Sequence, residues 1–194
     1  MRKKPLSTFI LLAILGAWAL VLRQFDFPIL PHAPFLKVDL SDLAVLGGLI
    51  VKGPSGMLAV AGIRDLLNYI MKGGEAGYPI GAVMSIIASI AFFIPTHWAL
   101  KGQLKRLNLF SVYSVISLTV VTAVLNYFVA LPLYIAILNF PIPSIGQFVL
   151  SITIPFNIIK GILLAVAQGI ALRTLLPLIT KRGYLFQAYQ SSSS

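Results

Sequence analysis

Cysteine is absent from this 194-residue chain. Disulfides, thiolate metal sites and cysteine nucleophiles are excluded with it, and the redox compartment stays undetermined. Acidic residues are nearly as scarce: the five Asp and Glu are scattered over separate loops and helices, so no acid and base pair stands out. No HExxH, GxSxG or Walker A phosphate loop occurs. The chain therefore has no evident enzymatic machinery, no metal site, and no means of hydrolysing ATP by itself.

Charge of either sign is sparse. Only 10% of residues are charged and 58% are hydrophobic, whereas a soluble domain carries about 25% charged residues. Several apolar runs reach the length that spans a bilayer, which makes this an all-α membrane protein. The net charge of +10 would suggest nucleic acid in a soluble chain. Here the basic residues sit mainly at the termini and in short loops, as membrane orientation requires, and nucleic-acid binding is set aside.

Six transmembrane segments are predicted, at about 7–22, 42–51, 55–71, 80–100, 110–130 and from near 149 to before 181. They form a single domain over 1–190, followed by a serine tail at 191–194. Met1-Arg2-Lys3-Lys4 has the charge pattern of a signal peptide but no convincing small-residue cleavage site follows, so the first segment is read as retained. The stretch 23–41, with three prolines and mixed polarity, reads as a long ordered loop. Asp42 suits an N-cap, and Arg64-Asp65 reads as a structural ion pair facing the interior. The glycines of 71–79 predict a flexible loop. Pro132 divides the long apolar run after it begins, leaving 131–147 as an extended loop, and Pro155 bends the start of the last segment. His97 beside Trp98 reads as an interfacial structural residue.

Six segments put both termini on one side. That side carries Arg2, Lys3, Lys4, Lys52, Lys101, Lys105, Arg106, Lys181 and Arg182, against Arg23, Lys37 and Lys72 on the other. The termini are therefore expected to be cytoplasmic, and the two histidines, His32 and His97, fall on opposite faces.

Polar residues stand out against this background. Asn157 and Lys160 are one helical turn apart and share a face. A Lys at mid-bilayer costs about 2.5–3.5 kcal/mol on insertion scales, so the pair must face inward, and an intramembrane cation marks a functional site. Asn126, near the external end of the fifth segment, can converge on them beneath the external loops. Amides donate and accept while the ammonium only donates. Together they suit a planar neutral heteroaromatic ligand with alternating carbonyl and N–H groups along one edge. Phe35, Tyr127, Tyr134 and Phe156 can supply stacking surface. The competing structural reading has the amides bonding helix to helix and Lys160 snorkelling to the surface. Ala13 and Ala17, four apart in the first segment, allow close approach of another helix, either within the chain or from a partner.

The run from Phe27-Pro28-Ile29-Leu30-Pro31 through Phe35-Leu36-Lys37-Val38-Asp39-Leu40-Ser41 resembles the first external loop of the riboflavin-binding S components of energy-coupling factor (ECF) transporters. So do Asn126-Tyr127-Phe128-Val129-Ala130-Leu131-Pro132-Leu133-Tyr134 and Pro155-Phe156-Asn157, in the same order along nearly the whole chain. The resemblance implies a six-helix subunit of a prokaryotic plasma membrane that captures riboflavin from outside, as cargo and not as a cofactor. It implies partnership with a transmembrane coupling protein and two cytoplasmic ATPases. Asn126, Asn157 and Lys160 would contact the flavin ring system, Asp39 and Leu40 would close over it, and Ala13 and Ala17 would pack on the coupling protein. The connection 139–148 is short compared with some members of this family, so the resemblance does not carry a ligand contact over to it. An S component for another vitamin such as thiamine, a membrane enzyme acting on lipid or isoprenoid substrates, and a purely structural or assembly subunit remain the alternatives.

Overall fold

The computed structural model describes residues 5–31, 33, 36–102 and 106–190. Phe35, His32, Arg2, Lys3, Lys4, Lys105 and the serines 191–194 lie outside the described residues. Among the described residues, five helical stretches are long and apolar enough to cross a membrane, Leu6–Arg23, Ser41–Lys72, Ile80–Leu100, Leu107–Leu138 and Ile145–Lys181.

The scarcity of polar residues leaves these stretches nothing but helix with which to satisfy their backbone in lipid. Helix α1 (Pro5–Arg23) leads into a loop closed by two short antiparallel strands, β1 (Phe27–Pro28) and β2 (Lys37–Val38). A Lys37–Asp26 ion pair at 2.9 Å tightens this closure.

Helix α2 (Ser41–Lys72) is not straight. Lys52 and Gly53 leave helical geometry, Gly53 at φ +65° and ψ −154°. Arg64 Nη1 lies 2.8 Å from Asp42 Oδ1, although a straight helix would hold residues 22 positions apart about 33 Å from each other. The chain thus reverses at Lys52–Gly53, and α2 is a hairpin of two antiparallel arms. The sequence break at Lys52-Gly53-Pro54 falls at this reversal. The first arm, eleven residues over 41–51, is about 16 Å long and covers only half of a bilayer core. Six helices of spanning length are therefore not found among the described residues.

The arms touch at Gly48 and Gly56. A Cβ on Gly48 would come within 2.6 Å of the Gly56 carbonyl oxygen. At the reversal, a Cβ on Gly53 would meet the Phe186 ring at 2.7 Å. Gly53→Ala is expected to destabilise by about 1–3 kcal/mol, because it adds both overpacking and a backbone conformation only glycine adopts freely. Gly73→Ala, at φ +76° but with open space around it, should cost less. Thermal unfolding of both variants in detergent checks the contrast.

Helix α3 (Ile80–Leu100) follows a loop that is pinned by a Glu75–Tyr78 bridge and by Tyr69 Oη donating to the Gly77 carbonyl at 2.7 Å. Helices α4 (Leu107–Leu125) and α5 (Leu131–Leu138) are joined by a π-helical turn at Asn126–Ala130. Helices α6 (Ile145–Phe148) and α7 (Ile154–Lys181) are joined by another at Val149–Thr153. The expectation of an extended loop over 131–147 is thereby corrected, since 131–138 and 145–147 are helical and only 139–144 is loop. The reason is local. Each π turn ends two residues before a proline, Pro132 or Pro155, and its wider i→i+5 bonding re-registers the carbonyls that the proline rings would otherwise strike.

The far end of the fold is held together by residues near both ends of the chain. The Lys52 ammonium sits 4.1 Å over the Phe9 ring, Phe186 N–H donates to the Ile50 carbonyl at 2.9 Å, and His97 Nδ1 meets Tyr189 Oη of α8 (Gln187–Gln190) at 2.6 Å. Both described ends of the chain thus lie at the end carrying the hairpin reversal. The main cavity opens at the opposite end.

Candidate functional site

That cavity has a volume of about 520 Å³, within the range that holds a drug-sized ligand. Its mouth is framed by the loop after α1, through Asp26, Leu36, Lys37 and Asp39, and by Lys72 and Glu75 of the next loop. Its deeper wall comes from the two π turns and the helices that follow them.

Asn126, Asn157, Lys160 and Asp39 all line the cavity. Asn126 opens the first π turn, and its Nδ2 donates to the Thr122 carbonyl at 2.8 Å. Asn157 stands one turn beyond the second, and its Nδ2 donates to the Thr153 carbonyl at 2.9 Å. Each amide thus spends one N–H on its own helix. That bond fixes the side chain while its oxygen and second N–H stay available. Lys160 is half-buried and close enough to Asp42 to act on it electrostatically. Asp39 Oδ1 accepts from Ser41 N–H at 2.7 Å, which orders the end of the loop. Leu40 is 47% exposed and does not line the cavity.

Of the aromatic residues expected to stack, Tyr134 and Phe156 line the cavity. Tyr127 does not: it is exposed and meets Phe128 edge-on at 4.8 Å between ring centroids, because it follows Asn126 by one residue, about 100° further round the helix. Phe140 and Phe148, from the connection to which the resemblance carried no contact over, line the cavity, with ring centroids 6.5 Å apart. Asn68 also lines it, and its Oδ1 is buried without a hydrogen-bond partner among the described residues. Such an orphan acceptor is uncommon enough to need an explanation, and an N–H or O–H donor in the cavity supplies one. Its only sequence signal is an amide late in an apolar helix.

Beside the cavity lies an ionic hub. Arg64, 1% exposed, donates to Asp42 at 2.8 Å, to Asp65 at 2.9 Å, and to the hydroxyls of Ser41, Ser85 and Ser89 at 2.9–3.1 Å. Asp65 also pairs with Arg23, which lines the cavity and donates to Ser85 Oγ at 3.0 Å. Two cations and two carboxylates balance, and the preferred structural reading of Arg64-Asp65 fits this geometry. Asp42 does not cap its helix. The cap position is Leu40, and the Asp42 carboxylate turns inward because a buried guanidinium needs a counter-charge more than a helix end needs an acceptor.

On α1, Ala13 and Ala17 both face outward and are exposed, while Gly16 packs against Ile63 of α2. The small residues that serve packing within the chain are thus not the Ala13–Ala17 pair.

A sequence profile for the substrate-specific component of ECF transporters matches residues 7–168. The riboflavin transporter FmnP of Bacillus subtilis is 33% identical over 171 residues, covering 86% of this chain and 89% of that protein. The riboflavin transporter RibU of Streptococcus thermophilus is 35% identical over 175 residues, covering 88% of this chain and 83% of that protein. A solved structure of the S component of a bacterial ECF transporter superposes with a TM-score of 0.76 at 31% identity, covering 91% of this chain and 99% of that one.

Proposed function

The chain belongs to the family of substrate-specific components of ECF transporters, and on that premise we propose that it captures riboflavin at the external face of the cell membrane for uptake. The observation that carries this reading is the convergence of Asn126, Asn157 and Lys160 on one cavity in a chain whose similar relatives are riboflavin transporters.

The chemistry follows from the donors and acceptors. The pyrimidine edge of isoalloxazine alternates carbonyl and N–H groups. The amide oxygens of Asn126 and Asn157 accept from its N–H, while their free N–H and the Lys160 ammonium donate to its carbonyls. The orphan Asn68 oxygen accepts from a ligand donor, a ring N–H or a ribityl hydroxyl. Phe140, Phe148, Phe156 and Tyr134 provide apolar surface for the ring. Asp39 and the ordered loop cover the mouth, with Leu40 at the outer edge. Riboflavin is cargo here, and no redox step involves this chain.

In this reading the protein is one unit over 1–190, with the α2 hairpin supplying the second and third of six membrane segments and both termini cytoplasmic. It sits among membrane lipid as a multi-pass protein and joins a transmembrane coupling protein and two cytoplasmic ATPases, whose ATP cycle drives release inside. The exposed Ala13 and Ala17 form the docking strip on α1. Ala13→Leu with Ala17→Leu is expected to reduce co-purification with the coupling subunit at least about tenfold, since close helix approach is lost. Riboflavin binding by the isolated chain should stay unchanged.

The test of function is the absorbance and fluorescence of the detergent-purified chain before and after adding riboflavin, with thiamine as competitor. Quenched flavin fluorescence that excess thiamine leaves unchanged is expected. A well-folded protein that neither carries nor binds riboflavin would overturn the assignment, and displacement by thiamine would move it to another vitamin.

A further inference from the structure

A second crevice, of about 420 Å³, lies on the outer surface between α4 and α7 and shares no lining residue with the external cavity. Its walls are aliphatic, formed by Val112 and Val115 of α4 and by Ile162 and Val166 of α7. Gly169 opens its floor: a Cβ built there meets nothing within 4 Å. The polar part of its lining is Asn108 and Ser111 from the first turns of α4 and Arg173 from the later turns of α7.

The level of that polar part in the bilayer can be read from the helices. Arg173 follows Lys160 by thirteen residues on the same helix, about 20 Å further from the external cavity. Leu107 and Asn108 begin α4 on the same side, directly after a connection carrying Lys101 and Arg106. The polar part therefore sits at the membrane interface on the side of the termini, and the aliphatic walls run from it toward the bilayer centre. Arg173 is exposed and makes no ion pair among the described residues. At that depth a basic side chain is attracted to anionic headgroups, and no carboxylate among the described residues neutralises Arg173 first.

We propose that this crevice is a binding site for one anionic phospholipid of the leaflet on the side of the termini. The phosphate accepts from the Arg173 guanidinium, with Asn108 and Ser111 as further donors, and an acyl chain lies along the aliphatic groove over Gly169. The occupant has both an apolar tail and an anionic head, because the crevice has both an apolar trough and an unpaired cation at headgroup depth. A helix from another protein would satisfy the trough but leave the cation. A soluble anion would satisfy the cation but leave the trough. This inference is independent of what the external cavity binds.

The test is native mass spectrometry of the full chain released from detergent, with phosphatidylglycerol and phosphatidylcholine added in equal amounts. Phosphatidylglycerol is expected to be retained about fivefold over phosphatidylcholine, the equivalent of about 1 kcal/mol for one basic residue at a charged headgroup. Arg173→Gln should bring the ratio close to one. Gly169→Leu fills the groove with a good helix former and should lower retention of both lipids. Lys181→Gln, a cation outside the crevice, should leave the preference intact. Soluble glycerol 3-phosphate should not displace the lipid. Equal retention of the two lipids by the wild type, a preference that survives Arg173→Gln or is lost in Lys181→Gln, unchanged retention in Gly169→Leu, or displacement by glycerol 3-phosphate would each overturn the proposal.

Discussion

Arg64→Leu is expected to be the most destabilising single substitution in this chain, costing about 3–5 kcal/mol. The side chain is buried against two carboxylates and three hydroxyls, so removing it strands charge and leaves hydroxyl acceptors unpaired inside the protein. Asp65 keeps Arg23, but Asp42 loses its only ion-pair partner among the described residues. Two further variants give the prediction its shape. Arg64→Lys retains the charge but offers a compact ammonium where a planar fork spans both arms of the hairpin and α3, so it should recover only part of the loss. Arg64→Leu combined with Asp42→Leu removes one charge of each sign, leaves the Arg23–Asp65 pair balanced, and should be more stable than Arg64→Leu alone. Thermal unfolding in detergent, with recovery of monodisperse protein as a second readout, checks the order. Arg64→Leu behaving like wild type would contradict the assignment of the hub as the clamp between α1, α2 and α3.

Asn157→Leu and Lys160→Met should each weaken riboflavin binding by about 10–100-fold, with the double substitution weaker still. Each removes a group that we propose bonds the flavin edge and leaves a ligand polar group unpaired in a dehydrated site, a loss of about 1–3 kcal/mol. The replacements are apolar and near in volume, so the cavity wall is kept and stability should change little. Lys160→Arg separates charge from shape: it retains a cation but enlarges the head, and should bind better than Lys160→Met. Riboflavin fluorescence titrations measure all of these. Unchanged affinity in the double variant would return Asn157 and Lys160 to helix packing and snorkelling.

Much of this arrangement is legible in the sequence because the background is so plain. In runs with few charged residues, Asn126, Asn157 and Lys160 are conspicuous, and helical spacing places two of them on one face before any fold is known. The reversal at Lys52–Gly53 is marked by Lys-Gly-Pro. What escapes is whatever depends on distant partners or on departures from regular helix. Asp42 looks like a cap because its partner Arg64 lies 22 residues away. Arg23 looks like a loop charge because Asp65 is 42 residues away. Pro132 looks like a helix end because an i→i+4 ladder cannot contain it, and nothing local announces that a π turn will absorb it. The same unforeseen turn lets α5 continue to Leu138, two residues short of Phe140, which lines the cavity.

If riboflavin occupies the cavity beneath the loop after α1, as we propose, it must shield the residues that line it. Because the chain contains no cysteine, a single cysteine placed there reports on that cavity alone. Met84 lines it and is half-buried. The measurement is the rate of maleimide labelling of Met84→Cys with and without saturating riboflavin, beside Val112→Cys on the lipid-facing crevice. Riboflavin is expected to slow labelling at position 84 at least about tenfold, thiamine to leave it unchanged, and position 112 to be indifferent to both. Equal rates at position 84 with and without riboflavin, in a protein that still quenches the vitamin's fluorescence, would put the binding site elsewhere.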